Sequence, residues 1–78
     1  MIRIRLYSRA EGKPLSSTKV SLYFDGFFTG GFANDEYTNS DGEAYFADSD
    51  PNRDGEIYAK GDKIFKGTIK SDMTLFID

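Results

Sequence analysis

The sequence predicts an all-β protein, a small antiparallel β-sandwich of about seven short strands. Three observations carry this expectation. Apolar and polar residues alternate with a period of two along most of the chain, turn residues recur between the alternating runs, and no window carries a helical stripe. A small barrel shares the pattern; the sandwich is the preferred expectation.

The elements follow in order. Ile2, Ile4 and Leu6 alternate with Arg3, Arg5 and Tyr7, which makes a half-buried first strand with a basic outer face. Gly12 and Pro14 then break the pattern into a loop. "TKVSLYF" is a second strand with Val20, Leu22 and Phe24 on one side, and "DGFFTGGFAND" is irregular and glycine-rich. "EYTN" and "EAYFA" form the next two strands, the latter burying Ala44 and Phe46. "EIYAK" buries Ile57 and Ala59, turns at Gly61-Asp62 into "KIFKGTI", and after "KSD" the chain ends on "MTLFI". No linker divides the chain, so residues 1–78 read as one domain.

Composition excludes several classes of chemistry. The 78 residues include no cysteine and no histidine, so disulfides, thiolate nucleophiles and Cys/His zinc sites cannot form, and the commonest general base is missing. Nine acidic residues between Asp35 and Asp62 face only Arg53 and Lys60, an acidic middle that repels phosphate backbones and argues against nucleic-acid binding. Apolar runs are too short for a membrane span. As it stands the chain reads as cytoplasmic, and as extracellular if it is excised from a longer exported protein.

Gly12-Lys13-Pro14-Leu15 before Val20-Ser21-Leu22, then Thr38-Asn39-Ser40-Asp41-Gly42-Glu43-Ala44-Tyr45-Phe46, then Tyr58-Ala59-Lys60-Gly61, make a set of turn and core phrases. Together they resemble the carboxypeptidase regulatory-like and transthyretin-like β-sandwich domains. Asn39 stands where that family usually has Asp, and Asp41 precedes the glycine where Asn is common. The resemblance implies a Greek-key sandwich serving as an accessory, adhesive or interaction module. Some pilus relatives carry a Lys–Asn isopeptide bond; this chain has arginines in its first strand and aspartates near its end instead.

The phrase N-x-D-G-E-x-Y occurs at Asn39–Tyr45 and again at Asn52–Tyr58. With Asp50 as position 1 of a calcium loop, Asn52 falls at 3, Asp54 at 5, Gly55 at 6 and Ile57 at 8. Asp48 adds a further oxygen and Glu56 a carbonyl, but Gly61 stands where a bidentate glutamate belongs, so such a site binds calcium only weakly, at about 10⁻⁴–10⁻³ M. The competing expectation is one type of turn built twice, with each asparagine bonding its own backbone and each glycine left-handed.

Half of the twelve aromatic residues lie between Tyr23 and Tyr37. Phe27, Phe28, Phe32 and Tyr37 are the candidate partner-binding residues, offering a contact surface for a protein partner or a second copy. Core capping is the competing use, and a glycan is a less favoured ligand because the segment has no tryptophan. The Arg3, Arg5, Arg9 row reads as protection of an edge strand, or as a site for an anionic partner. Ser16-Ser17 beside Lys13 and Lys19 lacks the buried lysine that a Ser-Lys nucleophile needs. The expected function is a non-catalytic interaction or accessory module without a required cofactor. The alternative is a weak calcium-binding surface module that contacts glycans or an adjacent enzyme domain.

Overall fold

Strands β1 (Ile2–Ser8), β3 (Lys19–Phe24) and β6 (Arg53–Ala59) bury alternate side chains, as the two-residue period requires, whereas β7 (Asp62–Ile69) fully buries Ile69 alone. With them, β2 (Lys13–Pro14), β4 (Ala33–Tyr37), β5 (Glu43–Phe46) and β8 (Asp72–Ile77) complete eight strands, and no helix forms among the described residues. The computed structural model describes residues 1–25 and 33–77. One strand more than expected arises because the "GKPL" loop pairs briefly with β1, Tyr7 opposite Pro14 and Ser8 opposite Lys13.

The strands form two sheets. In the first, β1 is central, with β8 on one side and β5 and β2 sharing the other. The second runs β4-β3-β6-β7, antiparallel throughout. One pairing departs from the antiparallel expectation: β8 runs parallel to β1, from Arg3 opposite Asp72 to Ser8 opposite Ile77. The cause is connectivity. Lys70 and Ser71 carry the chain from β7 in the second sheet to the first, so no hairpin links β8 to β1.

Both sheets contribute to one core. Ile2, Ile4, Leu6, Ala44 and Phe46 come from the first, Val20, Leu22, Ile57, Ala59 and Ile69 from the second. Burying each of the larger side chains stabilises the fold by about 1.5–3 kcal/mol. Along the β7 and β8 side the core thins to a rim of half-buried Ile64, Phe65, Met73, Leu75 and Ile77.

The repeated phrase is not one turn used twice. In the first copy, Asn39 Oδ1 accepts the amides of Asp41 (2.9 Å) and Glu43 (3.0 Å), and Gly42 donates to the Asn39 carbonyl at 2.9 Å with φ 79°. In the second copy Asn52 itself is left-handed (φ 67°), and the strand has begun by Arg53. Gly55 lies buried within β6 opposite Phe24 and Gly67. A Cβ there would overlap the Tyr23 carbonyl oxygen and stand 3.0 Å from Ile69 Cδ1, so close packing, not a turn, requires this glycine. The β6–β7 reversal uses Lys60 and Gly61, with φ 55° and 82°, one residue earlier than the sequence suggests.

Candidate functional site

The outer face of the second sheet is rich in tyrosine. Lys19, Ser21 and Tyr23 alternate outward from β3 because Val20 and Leu22 point to the core. Ser21 stands opposite Asp35 in β4 and Tyr58 in β6, while Lys19 stands opposite Tyr37. Lys19, Ser21, Tyr23, Tyr58 and Gly61 line a shallow hollow of about 280 Å³.

Its walls are held in place. Tyr23 and Tyr58 meet edge to face with ring centroids 5.2 Å apart. The Tyr58 hydroxyl donates to Glu56 Oε1 at 2.9 Å, and Lys63 Nζ lies 3.5 Å from Glu56 Oε2. The Tyr58 bond, followed by the Lys63 charge, holds the Glu56 carboxyl below its ordinary range; the same bond raises the Tyr58 phenol. Ser21 donates to Asp35 Oδ1 at 2.6 Å, with Lys19 Nζ 3.6 Å from Asp35 Oδ2. Such a surface presents rigid aromatic rings among fixed polar groups.

The face ends at β4, whose ladder partner among the described residues is β3 alone. Asn34, Asp35, Glu36 and Tyr37 are all exposed, Tyr37 at 66%. On the other side of this edge a second hollow of about 180 Å³ is lined by Asn34, Glu36, Tyr45 and Asp48, among others. Of the sequence candidates for partner binding, Tyr37 is thus an exposed edge residue; Phe27, Phe28 and Phe32 lie outside the described residues. Tyr23 and Tyr58 were not among those candidates. Their signal was the outward phase of "SLY" and "EIY", which places both on the solvent side of half-buried strands.

Two of the five calcium candidates have other partners. Asp54 accepts the Thr68 hydroxyl at 2.8 Å and Glu56 is held by Tyr58, both on the outer face of β6. Asp48, Asp50 and Asn52 precede the strand with exposed side chains. Among the described residues no three acidic side chains converge as a metal site would require.

Arg3 and Arg5 lie on a central strand and Arg9 just past its end, so the row does not guard an edge. Arg3 grips Asp72 across the parallel pair, Nε to Oδ1 at 3.1 Å and Nη2 to Oδ2 at 2.5 Å. Arg5 Nη2 donates to Glu43 Oε2 at 2.5 Å, Arg3 Nη1 lies 3.3 Å from the same oxygen, and Tyr45 donates to Glu43 Oε1 at 2.7 Å. Arg5 Nε is left without a hydrogen-bond partner. These bonds, Arg5 foremost and then Tyr45, bring the Glu43 carboxyl down to about 2. Arg9 instead lies over the Phe76 ring, 5.9 Å from its centroid. With Arg3 and Arg5 matched to carboxylates, this face is a cross-strand brace.

No helix among the described residues is long and apolar enough to cross a membrane. In comparisons with protein-family models, curated proteins and solved structures, the chain matches none.

Proposed function

We propose that this protein is a non-catalytic interaction module that binds a protein partner through the outer face of its second sheet. The observation that carries this reading is the tyrosine surface of Tyr23, Tyr58 and exposed Tyr37, ending at β4, which pairs with β3 alone among the described residues. Tyrosine supplies a large amphipathic contact at low conformational cost, and the Tyr23 and Tyr58 rings are already positioned against each other. Phe27, Phe28 and Phe32 enter β4 directly in sequence and would extend the contact. Catalysis finds little support. The chain has no histidine or cysteine, and Lys13 and Lys19 are exposed beside Glu11 and Asp35. An accessory role beside a larger enzyme or adhesin, as the resemblance to carboxypeptidase regulatory-like domains implies, suits such a module.

A photoreactive phenylalanine at position 37 tests this in the cell of origin. A discrete protein adduct is expected, competed by added wild-type protein but not by a Tyr23→Ala/Tyr37→Ala variant. An equal adduct from a photoreactive residue at position 13, or competition by the double variant, contradicts the reading.

A further inference from the structure

Edge strands usually carry devices that prevent pairing with other chains. Four of the five outer strands described here have one: β7 carries Lys63, Lys66 and a register shift opposite Ile57/Tyr58, β4 carries Asp35 and Glu36, and β2 and β5 are only two and four residues long. Strand β8 has no such device. It is a regular six-residue ladder, "DMTLFI", with one charge at its start, no bulge, and Phe76 52% exposed.

Its backbone is half committed. Arg3 donates its amide to the Ser71 carbonyl (2.8 Å) and Arg9 to the Ile77 carbonyl (3.0 Å). Because a parallel ladder alternates every second residue, Met73, Leu75 and Ile77 bond β1. The amides and carbonyls of Asp72, Thr74 and Phe76 therefore face outward along an edge that has no ladder partner among the described residues.

We propose that β8 pairs antiparallel with β8 of a second copy, forming a two-fold dimer in which the first sheet continues across the interface. Charge selects the occupant. The edge has Asp72, which Arg3 grips but whose side chain stays 55% exposed, at one end and Arg9, stacked on Phe76, at the other, so it is complementary to itself when reversed. Setting Thr74 opposite Thr74 of the second copy brings Asp72 opposite Phe76 and beside Arg9 of that copy. Every facing pair is then one whose backbone groups are free. The dimer also covers the half-buried rim of Met73, Leu75 and Ile77. This surface lies on the opposite sheet from the tyrosine face, so both contacts can form at once.

Sedimentation velocity across a concentration series, with amide exchange at low and high concentration, tests the pairing. A concentration-dependent dimer is expected, in which exchange at Thr74 and Phe76 slows on association while Met73 and Leu75 stay unchanged. Thr74→Lys should weaken the dimer by about tenfold or more, equivalent to about 1.4 kcal/mol, and leave the melting curve of the monomer in place; Thr74→Val should retain the dimer. A chain that remains monomeric at millimolar concentration overturns the proposal. So does a dimer indifferent to Thr74→Lys but lost with Tyr37→Lys, an outcome that would place self-association on β4 and leave the tyrosine reading intact.

Discussion

Glu43 and Arg5 face each other across the β1–β5 pair, with Arg5 Nη2 donating to Glu43 Oε2 at 2.5 Å and Glu43 only 8% exposed. The carboxylate also accepts Tyr45, so its charged form is favoured in the folded state, with a pKa near 2 against an ordinary 4.5. A depressed carboxyl pKa contributes stability that is complete above the unfolded value and disappears as pH falls through the folded one. Stability should therefore decline between about pH 4.5 and 2. Urea midpoints measured over that range test it: Glu43→Gln should lower the midpoint at pH 7 and flatten the acid slope. An unchanged slope would mean that Glu43 is not what titrates.

Gly55 separates the two copies of the repeated phrase by mechanism. Gly55→Ala drives a methyl group into the Tyr23 carbonyl and should cost about 1–3 kcal/mol by overpacking. A denaturation midpoint indistinguishable from wild type would contradict the close β3–β6 approach.

The asparagines should respond in opposite senses. Asn39→Gly removes a side chain that accepts two backbone amides and should destabilise by about 1–2 kcal/mol. Asn52→Gly relieves a left-handed backbone and should be neutral or stabilising by up to about 1 kcal/mol. Thermal melts of the two variants decide the matter. Calcium at a few times its weak-site range should leave the amide spectrum from Asp50 to Gly55 unmoved, since Asp54 and Glu56 are already engaged.

Much of this fold was legible because burial alternates wherever a strand has one wet face. Ile2, Ile4, Leu6, Val20, Leu22, Ala44, Phe46, Ile57 and Ala59 all sit in the core that the alternation placed them in. Strand neighbours were less legible. The Arg3, Arg5, Arg9 row fits an edge or a centre equally well until Asp72 and Glu43, distant in sequence, arrive opposite it. Matching short phrases misled for a similar reason: the Asn39 amide bonds within its own turn, to the Glu43 carbonyl at 2.9 Å, whereas the Asn52 amide bonds Ile69 at 2.7 Å, so tertiary pairing overrides the local turn preference in the second copy. In the candidate site, the outward phase of Tyr23 and Tyr58 was readable, but their contact depends on the β3–β6 register.

Hydroxyl-radical footprinting of the tyrosines, with and without the cellular partner, tests the proposed role most directly. Tyr45 is a matched control, 43% exposed on the outer face of the other sheet. Tyr37 and Tyr23 should lose reactivity when the partner is present while Tyr45 keeps its own. Shielding of Tyr45 with Tyr37 and Tyr23 unaffected would contradict the assignment of the binding face.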